Sequence, residues 1–170
     1  MEELIMQAQK GDKEAFNNLI ELILPKMYRI ARAKLREEAD IEDAIQETMV
    51  KAYLKLNKLK DKTKFEFWIT KILVNECMNI YRKQKVVHIE YDDISASVNV
   101  EYDGNLDNKI LYSKMMNLLE PEDRIIMVLY YANGYTTKQI SEIINTNENT
   151  IKGRIKRAKE KLREKMEGGN

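Results

Sequence analysis

Apolar residues recur every three to four positions along most of this chain, and the strict alternation of a β-strand is scarce. The stretch Phe65, Trp68, Ile69, Ile72, Val74, Cys77, Ile80 and Tyr81 is one case, and Ile151, Ile155, Ala158 and Leu162 are another. That period puts the apolar side chains on one stripe of a helix, which must find another helix to cover it. With 6 Gly and 2 Pro in 170 residues, little interrupts the pattern. The chain therefore reads as all-α, with helices expected at 2–10, 12–35, 40–57, 64–84, 106–118, 121–132, 136–144 and 147–166. Pro25 falls inside the second of these and is expected to kink or split it. Asp40 is expected to cap the third and Thr63 the fourth.

Between residues 86 and 105 the helical stripe stops. The segment "VVHIEYDDISASVNVEYDGN" has β-branched residues but no neighbouring strand pattern, so it reads as a flexible linker. It divides the chain into two small helical domains, 1–85 and 106–170, each within the size that can fold alone. Charge follows the same division. The total is only +1, yet residues 84–105 carry 1 basic and 5 acidic side chains, and residues 151–165 carry 8 basic and 2 acidic. A near-neutral sum therefore conceals a local cationic field suited to an anionic ligand.

Some functions are disfavoured at this stage. A single cysteine, Cys77, permits no internal disulfide, and with one histidine, His88, a structural zinc site is not expected. Cys77 reads as a small buried hydrophobe. The acidic start "MEELIMQAQK" is no secretory signal, and the longest apolar run, residues 125–132, is too short for a membrane span. The expectation is a reduced, cytoplasmic protein. No phosphate-cradling glycine loop, metal cluster or catalytic constellation stands out, so neither an enzyme, nor a cofactor, nor a small-molecule substrate is expected.

The most informative stretch is "TTKQISEIINTNENTIKGRIKRAKEKL", residues 136–162. Thr136 and Gln139 have the spacing of a capping box, which starts a helix. Ile140, Ile143 and Ile144 give that helix its apolar side. Asn145 tolerates the left-handed conformation that a tight turn needs, and Asn147 suits the N-cap of the next helix. That helix buries Ile151, Ile155, Ala158 and Leu162, and displays Lys152, Lys156, Arg157 and Lys159. Two short helices, a tight turn and a basic second helix make a helix-turn-helix. A basic terminal helix alone is more often plain solvated surface; the capped turn beside it favours nucleic acid. Gly153 costs this helix about 1 kcal/mol relative to alanine. It either lets the backbone approach DNA closely or is a tolerated accident.

This stretch resembles region 4 of the extracytoplasmic-function (ECF) group of bacterial RNA polymerase sigma factors, in the sigma-70 family. That pattern runs S-x-x-E-I-A, then G-I-S-x-G-T-V-K-S-R-L, then R-A-R. Here Asn145 and Asn149 stand where glycines are usual, and Gly153 where serine is usual. The front half resembles region 2 of the same group. "DIEDAIQETMVKAYLKL" is similar to D-x-x-D-x-x-Q-E-x-F-x-x-A, with Met49 for the aromatic. "FEFWITKILVNECMNIYRK" is similar to F-x-x-W-L-x-x-I-A-x-N-x-x-x-D-x-x-R, with Asn79 for the aspartate. The two blocks, in family order, leave little but the linker unmatched.

The resemblance implies an alternative sigma factor that binds core RNA polymerase and directs initiation at particular promoters. Asp40, Asp43, Gln46 and Glu47 match the family's polymerase contact. On their own these residues would read as caps and solvation of a helix. The loop Asn57 to Lys64, with Lys58, Lys60, Lys62 and Lys64, is similar to the loop that captures a flipped base of the −10 element; Lys71 and Asn75 lie beside it at i, i+4. Trp68 reads as core rather than as a stacking platform. For the −35 element the family points to Lys152, Gly153, Lys156 and Arg157, with Thr136, Thr150 and Arg154 as phosphate contacts. The acidic linker either occupies a basic polymerase channel or is a plain tether. An anti-sigma factor, often membrane-bound, and an envelope-stress signal are expected from the family alone. A stand-alone helix-turn-helix regulator is the competing reading.

Overall fold

A computed structural model describes residues 1–87 and 114–167. The expected linker beyond Val87, and the beginning of the helix expected at 106–118, lie outside the described residues. All regular structure described is helical, and no helix among the described residues is long and apolar enough to cross a membrane.

Helix α1, Glu2–Gln9, ends at Gly11, whose φ of 96° lets the chain reverse. Asp12 then caps α2, Lys13–Lys34, by accepting a hydrogen bond from the Ala15 amide at 3.0 Å. Pro25 does not split α2, which runs unbroken for 22 residues. The proline leaves the Glu21 carbonyl, four residues back, without its donor. Glu21 is exposed and Pro25 is at the solvent side of the helix, so water can serve that carbonyl.

Helix α3, Glu38–Lys55, begins two residues before Asp40, so Asp40 is not its cap. Its side chain instead accepts a hydrogen bond from Gln84 of the next helix, a contact 44 residues away in sequence. Ala44, Thr48 and Ala52 keep the buried face of α3 slim, and the Thr48 hydroxyl is satisfied internally by the Ala44 carbonyl at 2.7 Å. That lets α3 lie close along α4, Phe65–Val87. Two 3-10 turns, Leu56–Lys58 and Lys62–Lys64, join them. Asp61, not Thr63, caps this approach: its carboxylate accepts from the Thr63 amide at 3.1 Å and the Thr63 hydroxyl at 2.5 Å. Phe65, Ile69, Leu73, Val74 and Cys77 fill the core beneath. Burial pushes the Cys77 thiol up to about 12, so it behaves as an apolar side chain.

In the second half, residues 114–117 are helical and Pro121 opens α5, Pro121–Met127, at a position where its missing N–H is harmless. The chain continues through a wider turn, Val128–Ala132, to Gly134, whose φ is 69°. Helices α6, Thr137–Ile144, and α7, Glu148–Glu167, follow. The halves are not separate in this structure. α5 packs on α2 and α6 on α4, and their buried apolar residues form one continuous cluster.

The turn between α6 and α7 rests on Asn145, with φ 57° and ψ 55°. A β-branched residue resists that conformation, which costs L-residues about 1–2 kcal/mol. Asn145→Val should therefore lower unfolding stability by about that amount, while Asn145→Gly should not lower it. Urea denaturation followed by helical circular dichroism would decide; equal midpoints for the two variants would contradict this account of the turn.

Candidate nucleic-acid interface

The capping box at the start of α6 is fully formed. The Gln139 amide donates to the Thr136 hydroxyl oxygen at 3.2 Å, and the Thr136 amide donates to Gln139 Oε1 at 2.9 Å. At the other end the Thr146 amide closes on the Ser141 carbonyl at 2.9 Å. The Asn147 side chain accepts from the Asn149 amide at 2.7 Å, opening α7 as its residue type predicts. Ile151, Ile155, Ala158 and Leu162 are buried against α5 and α6. The helix is therefore fixed by its apolar side, and its cationic side is left to solvent.

Thr136, Thr150, Lys152, Lys156 and Arg157 are all exposed. The Thr136 hydroxyl accepts its capping bond and keeps its own proton for an outside acceptor. Lys152 is held along the helix by Glu148 at 3.0 Å, and Lys156 is 4.0 Å from Glu160. Glu148 also accepts from the Thr137 hydroxyl at 2.7 Å, and that bond, with Lys152, holds its carboxyl below its ordinary value. Such exposed pairs are weak enough to exchange for a phosphate. Arg154 stands apart from this group. It is half-buried and pairs with Asp123 of α5 at 3.1 Å, so it ties α7 to the domain.

A Cβ added at Gly153 would meet only the tip of Arg157, at 3.9 Å. Among the described residues, nothing requires glycine there. One further cation extends the face: Arg163 lines one open groove with Lys152, Lys156, Lys159 and Tyr130. The Lys159 ammonium also lies 5.3 Å from the centroid of the Tyr131 ring. The spacing of Arg163 from Lys156, at i+7, is the signal that could have found it as a member of the site.

In the first half of the chain, Lys58, Lys60 and Lys64 are exposed and Lys62 is partly so. The four lie on or between the two short turns, and Asp61 is 3.7 Å from Lys64. Lys71 and Asn75 are exposed one turn apart on α4. The loop is pinned from below by Gln9, whose side-chain amide donates to the Leu56 and Leu59 carbonyls, both at 2.9 Å. No local pattern betrays Gln9, because its partners lie about fifty positions on. Trp68 is only partly exposed and packs against the core beside Phe65, with ring centroids 6.0 Å apart.

Asp43, Gln46 and Glu47 project together from α3 into an open cleft of about 790 Å³ between α3 and α4. Lys51 and Glu76, 2.7 Å apart, bridge its walls, and Asn79, Arg82 and Lys83 line the far side. Asp40 is partly buried and engaged by Gln84, so the structure sets it apart from the other three. Among the described residues, no group of carboxylate, histidine and cysteine side chains could hold a metal ion.

Comparison with known proteins bears on both ends of the molecule. Residues 19–86 match the family model of Sigma-70 region 2, and residues 110–162 match that of Sigma-70, region 4. The ECF RNA polymerase sigma factor SigW of Bacillus subtilis (strain 168) is 28% identical, over 95% of this chain and 94% of its own. The ECF RNA polymerase sigma-E factor of Escherichia coli (strain K12) is 26% identical, over 96% and 93%. Among solved structures, the sigma factor RpoE of Bartonella quintana, in complex with the anti-sigma factor NepR, superposes with a TM-score of 0.73 at 26% identity, covering 91% of this chain and 98% of that one. CnrH, in complex with the cytosolic domain of CnrY, shares the fold at 21% identity, with a TM-score of 0.69 over 99% and 98%. Two regional models of one family, in their proper order, and relatives matched nearly end to end agree with the capped helix-turn-helix and its cationic face: the chain belongs to the ECF sigma factors of the sigma-70 family.

Proposed function

We propose that this protein binds core RNA polymerase and carries it to a particular set of promoters, acting by binding rather than by a catalytic step of its own. The observation that carries the reading is the pairing, in one chain, of the solvent-facing cationic side of α7 with the lysine loop and the acidic face of α3.

Residues 1–85 are assigned to polymerase docking and the −10 element, residues 86–105 to the connection, and residues 106–170 to the −35 element. Asp43, Gln46 and Glu47 present carboxylate and amide groups to a basic helical partner on the polymerase, with Asp40 supporting the face through Gln84. Lys58, Lys60, Lys62 and Lys64 hold phosphates of the displaced strand, and Lys71 and Asn75 lie where an extruded base would be met. Lys152, Lys156 and Arg157 face base edges in the major groove, where lysine and arginine pair with guanine O6 and N7. Thr136 and Thr150 position the helix on phosphates, and Arg154 joins them only by leaving Asp123. The bare Gly153 backbone gives α7 room to approach the duplex.

The protein works in the cytoplasm, where its polymerase is. An anti-sigma factor is its natural antagonist, an inference supported by the Bartonella quintana relative solved with NepR. Release from that antagonist under envelope stress is the signal the family suggests.

Mixing the protein with core polymerase, isolating the complex by size exclusion and transcribing from a promoter library tests the function. Start sites sharing −10 and −35 motifs support it. Specific duplex binding without a polymerase complex would move the assignment to a stand-alone regulator.

Two variants test the helix assignments. Lys152→Ala and Arg157→Ala should each reduce transcription while polymerase binding persists. Each should also lower the salt slope of duplex affinity by about one unit for every phosphate that the side chain had neutralised. Gly153→Ala should stabilise the fold by up to about 1 kcal/mol and weaken promoter binding at the same time. A stabilised variant with unchanged promoter affinity would show that the glycine is an accident of sequence.

A further inference from the structure

The lysine loop is rooted in the bundle by a buried side chain on either side, Leu56 before it and Phe65 after it. Between these two, Leu59 and Lys62 are half-buried and every other residue is exposed. Apolar packing therefore grips the loop weakly. Its second turn is braced from within, by the Asp61 carboxylate on the Thr63 amide and hydroxyl. Its first turn is closed by a backbone bond from the Leu59 amide to the Leu56 carbonyl at 3.0 Å. A further tie reaches that turn from α1, through Gln9.

We propose that Gln9 is a positioning residue for −10 recognition: its side-chain amide sets how the lysine loop sits on the bundle, and so which −10 sequences the protein selects. This rests on the assignment of that loop to the −10 element. It adds a residue that lies upstream of positions 19–86, where the likeness to Sigma-70 region 2 begins and ends.

The geometry suits a glutamine. Its amide carries two N–H groups on one nitrogen. Gln9 Nε2 lies 2.9 Å from the Leu56 carbonyl oxygen and 2.9 Å from that of Leu59. With three residues per turn, carbonyls three positions apart in a 3-10 turn point the same way, so one forked donor spans both. Leu56 opens the turn and Leu59 follows its end, so a single side chain fixes both limits of the stretch that carries Asn57 and Lys58. Lys60 leaves directly from the second tied residue. Gln9 is itself held in place. Ile5 and Ala8 seat α1 on α2, and the reversal at Gly11, with its φ of 96°, fixes where α1 ends.

The position of this loop matters for selection. Taking a base out of the stack already costs free energy, and a loop that must order itself at the same moment adds to that cost. A loop ordered beforehand does not. Lysine is a point charge on a flexible stem, so the selectivity of this surface depends on where the backbone places it. Without the Gln9 donors, the Leu56 carbonyl keeps its bond from the Leu59 amide, but the Leu59 carbonyl loses its tie to α1. An ionised glutamate at position 9 goes further: it is an acceptor only, and it sets negative charge against two carbonyl oxygens.

The test uses holoenzyme assembled from the full-length protein and core polymerase. It transcribes two promoter libraries, one randomised in the −10 element and one in the −35 element. Gln9→Met keeps a long unbranched side chain and removes both donors; Gln9→Glu keeps the shape and reverses the polarity. Both residues favour helix, so both variants should fold, as helical circular dichroism would verify. Each should bind polymerase as wild type does and keep the wild-type −35 preference. Each should narrow the gap between the best and the poorest −10 sequences by about threefold to tenfold, the loss expected for the two hydrogen bonds. A residue that only stabilised the fold would lower every promoter evenly. An even loss, or an unchanged −10 preference in both variants, overturns the proposal. A chain carrying both Lys58→Ala and Lys60→Ala separates the two possible failures. If it transcribes like wild type, the loop does not serve the −10 element, and the assignment and the role of Gln9 fall together. If it is impaired while both Gln9 variants match wild type, the loop assignment stands and the role of Gln9 falls alone.

Discussion

The seating of Tyr135 on α4 governs how the second half of the molecule lies on the first. Gly134, with its positive φ, turns the chain so that the tyrosine ring points inward rather than along the surface. Once buried, the hydroxyl needs a partner, and so does the hydroxyl of Thr70, which is itself 3% exposed. Each supplies the other. That reciprocal need fixes the register of α6 along α4, and with it the direction in which the helix-turn-helix faces. The adjacent apolar cluster gives the interface its area, but apolar contact alone is indifferent to small slips. The paired hydroxyls and the Lys34–Glu122 bond make one arrangement distinct.

The same division between apolar holding and polar aiming recurs at α7. Four buried residues, Ile151, Ile155, Ala158 and Leu162, hold the helix, and Arg154 aims it by pairing with Asp123. One cation is thereby withdrawn from the outer face. Those that remain, Lys152, Lys156, Arg157, Lys159 and Arg163, are exposed on long flexible stems, and their intrahelical partners are exposed or partly so. A surface of this kind costs little to reorganise around a phosphate backbone, which suits a protein whose work is recognition.

Region 2 is organised by ties across a cleft. The Lys51–Glu76 bridge and the Asp40–Gln84 bond span α3 and α4, leaving Asp43, Gln46 and Glu47 between them to face outward. Gln9 does a similar service at the lysine loop by donating to the Leu56 and Leu59 carbonyls, the first of which also accepts from the Leu59 amide. Both arrangements hold charged side chains in fixed positions at the surface.

The sequence by itself determined whatever is settled within a turn or two of chain. The helical period set the all-α class, the Thr136–Gln139 capping box set the start of α6, and Asn145 set the left-handed turn. The spacing of Ile151, Ile155, Ala158 and Leu162 set which side of α7 faces out. Local spacing misled where another group or solvent competed: Asp40 went to the distant Gln84, the neighbouring Asp61 took the capping role expected of Thr63, and Pro25 stayed within an unbroken helix. Only the tertiary structure decided the roles of Gln9, Arg154, Lys34, Glu122 and Tyr135, whose partners lie from about thirty to ninety positions away. The physical reason is that caps and amphipathic stripes depend on backbone geometry that neighbouring residues define. Buried hydroxyls and buried charges depend on whichever group the packing of remote helices happens to place within about 3 Å.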